Sequence, residues 1–406
     1  MAQRVTPFYR IKVPAGTLAR FFDEADLNNK LTDVAVVGAG IIGLAHAYVA
    51  AKAGHKVTVF ERNPVANGAS VRNFGMVWPI GQPAGVMHEV ALRSAEIWRE
   101  LLHDAGLPYI SSGSLHAAYR EDEAAVGREF AERAKPLGYV CEWLSAAKTL
   151  EKSSALRPEG LLGALWSPSE MTVDPRQVIA RIPAFLSERY GVRFHFNSAV
   201  IEVGTHTVRT HDHRSEANLV IVASGDDFQT LFPDLFAAAG LTRCKLQMLR
   251  TEQQPENWRL GPSLAFGLTF RHYPVFNICE SLAALKARVA QELPEFDRWH
   301  IHVMASENAM RQITLGDSHE YGLAVDIFDR TRINDLILEC AREYLRVPSL
   351  RIAETWHGVY AKHPEKQFLR LTPVAGVRVV TVTSGVGMTL SFGLAEQTYR
   401  ELGMLR

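Results

Sequence analysis

The earliest clear pattern in the chain is a β-α-β unit. Residues 33–37 form a short, mostly β-branched apolar run that ends at Gly38, which is typical of a buried parallel strand. The alanine-rich residues 41–53 favour a helix that stops at Gly54. Residues 56–61 predict a second strand, and the connection is short enough for one right-handed crossover.

Further elements follow from the same periodicities. Helical spacing of apolar residues predicts a helix over 86–105, and residues 108–150 predict a strand, a charged helix over 121–137 and another strand. A helix over 174–190 is marked by Asp174 followed by Pro175. We interpret Asp174 as its N-cap and not as a catalytic residue.

The second half of the chain changes character. Mixed strands surround one helix between residues 244 and 325, which favours an antiparallel sheet, and the parallel-strand pattern returns near the end. The predicted elements are strands at 193–196, 200–203, 207–209, 218–223 and 377–383, and helices at 281–293, 332–344 and 390–402.

The turn between the first strand and helix carries the strongest motif, GAGIIG at residues 38–43. Gly38 allows a tight turn, Gly40 lets a pyrophosphate approach the backbone, and Gly43 lets helix and strand pack closely. Glu61 closes the second strand, where a carboxylate can accept hydrogen bonds from a ribose hydroxyl. Because strand, helix and acid are all in place, the motif predicts dinucleotide binding.

The bound dinucleotide could be NAD or FAD, and the acid argues against NADP. Two other segments favour FAD. The loop at residues 68–75 is rich in small residues and hydrogen-bond donors, and the strand at 220–225 ends on small residues. Near the C-terminus, the glycine turn at 384–389 precedes a helix and can aim backbone N–H groups at the negative charge of a reduced flavin.

The order of elements predicts an α/β fold with a Rossmann-type FAD-binding lobe built on a parallel sheet, and a smaller α+β substrate lobe with a mixed or antiparallel sheet. Both lobes are discontinuous. We expect an N-terminal extension at residues 1–31, an FAD-binding domain at 32–107, 155–235 and 350–406, and a substrate-binding domain at 108–154 and 236–349. A short amphipathic helix is expected within the extension, at residues 17–29.

These motifs together resemble the D-amino-acid-oxidase superfamily of flavoproteins. GAGIIG with Glu61, GASVRNFG at 68–75, VASG at 222–225 and SGVGMT at 384–389 are most similar to its glycine oxidase and sarcosine oxidase branch, over nearly all of residues 33–403. At finer grain, residues 72–83, 270–273 and 316–321 resemble a bacterial subfamily associated with phosphonate catabolism and proposed to oxidise aminophosphonates.

One departure from the superfamily concerns the substrate's anion. The resemblance implies an arginine after Trp-x-Gly that clamps the carboxylate of an amino acid, but here Tyr360 follows Trp356 and Gly358 at that position. The carboxylate of a standard D-amino acid would lose its anchoring arginine. A phosphonate would still be anchored if Arg271 and His272 held it, with help from Lys362 or His363.

We therefore expect two sets of site residues. The predicted substrate-binding residues are Trp78, Gln82, Arg271, His272, Tyr273, Tyr360 and Lys362. The predicted cofactor-binding residues are Gly38, Gly40, Ile42, Gly43, Glu61, Arg62, Ser70, Arg72, Asn73, Gly75, Met76, Ala223, Ser224, Gly225, Gly385, Gly387, Met388 and Thr389. His302 and His319 are interpreted first as structural histidines.

Composition narrows the class of protein. The chain has 44 basic and 44 acidic residues, so nothing in the charge balance points to nucleic acid or an anionic membrane. The four cysteines form no metal-binding pair, which favours reduced thiols in the cytoplasm and no metal site. None aligns with a site of covalent flavin attachment, so we expect non-covalent FAD. No apolar stretch is long enough to span a membrane, and the extension does not read as a secretory signal.

The expected reaction is oxidative deamination of a small amine. Hydride transfer to flavin N5 gives an imine, which water hydrolyses to an aldehyde, and the protein need supply no strong acid or base. An aminoalkylphosphonate such as 2-aminoethylphosphonate or its N-methyl form would yield phosphonoacetaldehyde, with O2 or another electron acceptor reoxidising the flavin. The alternatives are a glycine, sarcosine or other secondary-amine oxidase, an RNA-modifying flavoprotein, and a non-catalytic flavin-binding protein.

Overall fold

The computed structural model describes residues 32–405. The N-terminal extension, including the helix predicted at residues 17–29, lies outside this range. Within it, the helices are α1 (Ile41–Lys52), α2 (Val86–Asp104), α3 (Glu121–Ala134), α4 (Ala146–Lys152), α5 (Pro175–Tyr190), α6 (Pro233–Ala238), α7 (Leu282–Glu292), α8 (Pro294–Arg298), α9 (Thr331–Tyr344) and α10 (Gly387–Glu401).

The strands of the described range fall into three sheets. They are β1 (Thr32–Val37), β2 (Val57–Phe60), β3 (Met76–Val77), β4 (Tyr109–Ile110), β5 (Ser114–Ala118), β6 (Glu142–Ser145), β7 (Gly163–Ser167), β8 (Met171–Val173), β9 (Arg193–His195), β10 (Glu202–Gly204), β11 (Thr207–Arg209), β12 (Arg214–Val222), β13 (Thr242–Thr251), β14 (Ser263–Phe266), β15 (Met304–Glu307), β16 (Ile313–Gly316), β17 (Glu320–Gly322), β18 (Ile352–Lys362), β19 (Phe368–Leu371) and β20 (Val377–Val382).

The first sheet has parallel strands at its centre. Its order is β10-β11-β12-β1-β2-β9, with β20 parallel to β12 and β19 antiparallel to β20. Strand β2 is buried throughout, as its continuous apolar sequence predicts for a strand covered on both faces. Helix α1 packs between the sheet and α10, and α10 packs in turn on α2. Because β1 and β2 are parallel neighbours, their carboxyl ends meet at one edge of the sheet.

The second sheet is mixed. Its order is β17-β13-β16-β15-β14-β5-β7-β6, and only the β14–β5 pair is parallel among these described strands. Strand β18 pairs antiparallel with β13 along nearly its full length, from Thr242 opposite Lys362 to Thr251 opposite Ile352. A short third sheet, β3-β8-β4, lies beside the start of α5. The long β13–β18 pairing carries Tyr360 and Lys362, two of the predicted substrate-binding residues.

The predicted fold class is confirmed, since a parallel nucleotide-type sheet is joined to a mixed sheet. The strand pairing differs from the predicted domain boundaries at two places. Strands β7 and β18 belong to the second sheet, although residues 155–235 and 350–406 were assigned to the FAD-binding domain. Local periodicity identifies a strand, but it does not say which sheet the strand joins.

Two local details bear on the sequence analysis. Asp174 caps α5, because its Oδ1 accepts a hydrogen bond of 3.1 Å from the backbone N–H of Arg176, as predicted. The last helix starts at Gly387, three residues before the predicted start. Because glycine has a low helix propensity, nothing in the sequence indicated that the first turn begins there. Across residues 32–405, every helix is too short or too polar to cross a bilayer.

Candidate functional site

The β1–α1 turn requires its glycines for steric reasons. Gly38 has φ +100°, and a Cβ placed there would lie 2.4 Å from the carbonyl oxygen of Ala223 at the end of β12. A Cβ on Gly43 would lie 1.8 Å from the carbonyl oxygen of Gly38. The turn therefore keeps the N-terminus of α1 pressed against the ends of β1 and β12.

Glu61 is tied to this turn. Its Oε2 accepts a hydrogen bond of 2.9 Å from the backbone N–H of Ala39, and its Oε1 accepts two from Asn63, at 3.0 Å from the backbone and 3.1 Å from the side chain. The carboxylate is buried and lines a cavity, and a carboxylate oxygen that accepts one hydrogen bond can accept another. It is positioned to accept a hydrogen bond from a ribose hydroxyl.

The loop at residues 68–75 lies over the start of α1. The Ser70 hydroxyl accepts a hydrogen bond of 2.9 Å from the N–H of Ile41. The Asn73 side chain donates to the carbonyls of Ala69 and Ser70 at 2.9 and 3.0 Å, and it accepts from the N–H of Gly75 at 2.7 Å. These bonds fix the loop as one wall of a cavity.

That cavity, of about 360 Å³, runs from the glycine turn to the second sheet. Of the predicted cofactor-binding residues, all line it except Gly43 and Gly75. Both exceptions are close-packing positions, because a Cβ on Gly75 would lie 1.9 Å from the carbonyl oxygen of Val173. Predicted residues from five separate segments of the chain therefore lie around one cavity.

The C-terminal turn closes the other side of the cavity. Gly385 has φ +72° and packs against the ring of Tyr360, while α10 begins at Gly387. The Thr389 hydroxyl accepts a hydrogen bond of 2.9 Å from the N–H of Trp78, which joins the first turn of α10 to the segment after β3. The positive end of α10 therefore faces the cavity.

These features fit an FAD molecule. The cavity has a helix N-terminus at each of two places, α1 beside the Glu61 carboxylate and α10 beside the second sheet, and each can stabilise negative charge on an extended ligand. Trp78 Nε1 and Gln82 Oε1 line the same cavity and have no hydrogen-bond partner within residues 32–405, so they are available to a ligand. Within the same range, no cysteine lines the cavity.

The predicted substrate residues divide between two neighbouring cavities. Trp78, Gln82 and Tyr360 line the first cavity only, and His272 and Tyr273 line both. Arg271 and Lys362 line only the second cavity, of about 240 Å³. The two cavities share a wall at His272, Tyr273 and His302, so a ligand extending from one would meet the other.

The second cavity is rich in basic groups. Lys362 Nζ donates to the Ser384 hydroxyl at 3.1 Å, and burial lowers the pKa of its ammonium group. Arg271 has most of its donors engaged, by Asp297 at 2.8 Å and by the carbonyls of Phe296 and Ile301 at 3.1 and 3.0 Å. Its Nε has no partner among the described residues. Lys362 is thus the freer of the two predicted anion ligands.

A buried group that the sequence analysis did not assemble lines the first cavity. It consists of His272, His302, Asp317 and His319, which we call the His–Asp cluster. His302 Nε2 lies 3.3 Å from Asp317 Oδ1, and His319 Nε2 lies 3.7 Å from Asp317 Oδ2. Both ring nitrogens of His302 lack a hydrogen-bond partner among residues 32–405. The interpretation of His302 as a satisfied structural histidine is therefore wrong.

Burial shifts the ionisation of this cluster toward neutral side chains. Desolvation lowers the pKa of His272 and His302 well below the usual imidazole value, and it lowers the pKa of His319 to about 3. Desolvation raises the pKa of Asp317 well above the usual carboxyl value. The sequence signal for Asp317 is its place in the GDSHEY segment at 316–321, which supports a family resemblance but does not by itself indicate an acid–base role.

Comparison with known proteins agrees with this geometry. Residues 33–400 match a family described as FAD dependent oxidoreductase. Glycine oxidase of Geobacillus kaustophilus strain HTA426 is 27% identical over 207 residues, which cover 48% of this chain and 54% of that protein. The chain thus spans about half the length of the curated relatives it matches.

Solved structures share the fold over almost the whole chain. The crystal structure of glycine oxidase from Geobacillus kaustophilus superposes with a TM-score of 0.72 at 19% identity, covering 92% of this chain and 95% of that one. Dithionite-reduced L-α-glycerophosphate oxidase from Mycoplasma pneumoniae, with FAD bound, gives 0.70 at 18% identity, covering 92% and 95%. With the family match spanning 33–400, we conclude that this chain belongs to the FAD-dependent oxidoreductases.

Proposed function

We propose that this protein is an FAD-dependent amine oxidoreductase whose substrate is a small amine bearing a phosphonate, such as 2-aminoethylphosphonate or its N-methyl derivative. Its relatives named for amino-group oxidation, glycine oxidase and D-amino acid dehydrogenase, support the amine part of the proposal. The carbon bearing nitrogen loses hydride, the resulting imine is hydrolysed, and the product is phosphonoacetaldehyde plus ammonia or methylamine.

The chain's own residues prepare the site for this reaction. When bound, FAD supplies the hydride acceptor. The apolar side chains of Leu246, Met248 and Met304 line the cavity and exclude water from the reacting carbon. The N-terminus of α10 offers backbone donors and positive potential to negative charge that develops beside it. Trp78 and Gln82 offer unpartnered polar atoms that can orient the amine.

The observation that carries the substrate class is the basic second cavity beside the first. Its lining includes Lys362, Arg271 and four histidines, and Glu365 is the one carboxylate among its described lining residues. A dianionic phosphonate would be bound there by charge-assisted hydrogen bonds. Tyr360, at the position of the carboxylate clamp in amino-acid-oxidising relatives, favours an anion bound farther away.

The proposal is tested by mixing the purified, FAD-loaded protein anaerobically with a panel of amines and following the flavin absorption band near about 450 nm. The panel contains 2-aminoethylphosphonate, its N-methyl derivative, glycine, sarcosine and propylamine. We expect the two aminophosphonates to bleach the band at the lowest concentrations. Bleaching by glycine or sarcosine, but not by an aminophosphonate, would replace the proposal with its alternative, a glycine or secondary-amine oxidase.

Lys362→Met should separate anion binding from amine oxidation. Removing the ammonium group is expected to weaken aminophosphonate binding by about 30-fold, because a charge-assisted hydrogen bond contributes about 2 kcal/mol. Propylamine, which has no anion, should reduce the flavin in the variant as it does in the wild type. The measurement is the concentration dependence of anaerobic flavin reduction, and an equal loss for both amines would contradict a role in anion binding.

A further inference from the structure

The His–Asp cluster contains an acid–base arrangement that the proposed reaction has not yet used. Asp317, His302 and His319 are each at least 95% buried, yet all three line the cavity. Asp317 Oδ1 and both ring nitrogens of His302 have no hydrogen-bond partner within the described range. Buried polar groups without partners are costly, so this arrangement indicates a polar ligand or a mobile proton.

A metal ion is the first ligand to consider, because the three imidazoles have nitrogens within 4.8 Å of one another. The ring of His272, however, lies 4.0 Å from that of His302 and 4.4 Å from that of His319, with tilts of 33° and 30°. At these distances and tilts, His272 stacks over the other two rings. Imidazoles around one ion instead direct their in-plane lone pairs to a common point. The observed stacking therefore favours proton handling over metal binding.

We propose that Asp317 is a catalytic residue that receives the substrate's ammonium group and takes its proton, with His302 and His319 as positioning residues. The inference rests on the proposed amine oxidation. Alkylammonium groups have pKa values near about 10, as lysine does, so most substrate arrives protonated at neutral pH. An ammonium nitrogen has no lone pair to assist loss of hydride from its carbon, so a proton must leave first.

The proton transfer from the ammonium group to Asp317 conserves atoms and electrons. One N–H bond of the ammonium group breaks, its electron pair stays on nitrogen, and an O–H bond forms on Asp317 Oδ1. His302 Nε2 lies 3.3 Å from this oxygen and positions the carboxyl group, but burial disfavours the charged imidazole, so the proton stays on Asp317. Burial favours the protonated form of Asp317 once the transfer is complete.

Other groups around Asp317 set its response to pH. They are Cys244 on β13, Tyr273 between the 3-10 segments at 267–271 and 274–278, His302 and His319 on the flanking loops, Tyr321 on β17 and Tyr360 on β18. The charge of Arg271 acts on both histidines, and the charge of Lys362 also acts on His319. Most of these are neutral at physiological pH because burial lowers the histidine pKa values and raises those of the tyrosines. Asp317 is the carboxyl group of this set, and because burial raises its pKa, the ionised form that accepts the ammonium proton is reached as the pH rises.

The rate of flavin reduction should depend on pH through the ionisation of Asp317. Asp317 must be ionised to bind the ammonium group, so the apparent second-order rate constant of flavin reduction should rise with pH through the carboxyl pKa. In wild type we expect this lower break, followed by a plateau. Asp317→Asn cannot take the proton, so its rate constant should follow only the free amine and rise tenfold per pH unit toward about pH 10. The deficit should be about 1,000-fold at pH 7, where about one amine in a thousand is unprotonated, and about 2-fold at pH 10.

The experiment is anaerobic stopped-flow reduction by 2-aminoethylphosphonate between pH 6 and 10, with Asp317→Asn, His302→Phe and the surface control Asp326→Asn. Asp326 is exposed on the same lobe, so its variant matches the charge change and should behave as wild type. Replacing the polar imidazole beside Asp317 Oδ1 with an apolar ring makes the ionised carboxylate less favourable, so the lower break should move upward by about half a pH unit or more. The FAD content and flavin spectrum of each variant show independently that the site has formed.

The outcomes separate this inference from the proposed function. If wild type is reduced and Asp317→Asn keeps the wild-type pH profile, the inference is overturned while amine oxidation stands. If no amine of the panel reduces the wild type, both are overturned. If Asp317→Asn does not fold, an unchanged break in His302→Phe overturns the inference, and an upward shift supports it. The inference would also be overturned if the protein bound one transition metal ion per chain and the flavin were bleached only when that ion was present.

Discussion

Gly43→Ala should yield a protein that binds no FAD and unfolds more easily. A methyl group at this position would lie 1.8 Å from the carbonyl oxygen of Gly38, so α1 must move away from β1. We expect a loss of at least about 3 kcal/mol in the free energy of unfolding, at the upper end of overpacking effects. The displaced helix N-terminus also loses its alignment with the pyrophosphate. Denaturant unfolding and the flavin content after purification measure both effects.

A matched control is available at Gly54, immediately after the same helix. Gly54 has φ +91°, but a Cβ there would meet nothing within 4 Å. Gly54→Ala should therefore cost only the strain of a left-handed residue, about 1 kcal/mol, and leave FAD binding intact. Full flavin content in Gly43→Ala would contradict the placement of the pyrophosphate at this turn.

Glu61→Ala should weaken FAD binding by several hundred-fold. The carboxylate is expected to accept hydrogen bonds from the ribose, and hydrogen bonds to a charged group contribute about 1.5–3 kcal/mol each. The variant also leaves the N–H of Ala39 without its 2.9 Å partner, which loosens the glycine turn. Fluorescence titration of the apoprotein with FAD measures the dissociation constant directly.

Glu61→Gln provides the graded comparison, because an amide oxygen can still accept from Ala39 while the negative charge is lost. We expect its affinity to fall between those of the wild type and Glu61→Ala. Binding of FMN, which has no adenosine ribose, should be affected little by either change. An equal loss for FMN and FAD would show that Glu61 acts through the fold alone.

Features coded by neighbouring residues could be predicted from the sequence. The GAGIIG turn, the Glu61 carboxylate and the Asp174 cap all lie within one or two adjacent elements, where short-range periodicity and turn chemistry determine the structure. The predicted cofactor residues come from distant segments, and most of them line one cavity in the structure. Each segment could be recognised because it carries its own glycine or helix-start signal. A local signal therefore sufficed for most of the nucleotide cavity.

Features that depend on long-range pairing could not be predicted. Strand β18 joins the second sheet through β13, more than a hundred residues earlier, and no local pattern specifies that partner. The His–Asp cluster forms because the backbones of His302 and Asp317 hydrogen-bond to each other beyond the β15–β16 pair. The Arg271 side chain forms an ion pair with Asp297, 26 residues later in the chain, which reduces its freedom as an anion ligand.

Reconstitution of the flavin-free protein is the most direct test of whether this chain binds FAD at the glycine turn. Apoprotein is titrated with FAD, FMN and NAD, and bound flavin is quantified by absorbance and fluorescence. We expect one tightly bound FAD per chain, weak FMN binding and no competition by NAD. A colourless protein that takes up no FAD under any folding condition would refute FAD binding, and the proposed amine chemistry would then have no hydride acceptor.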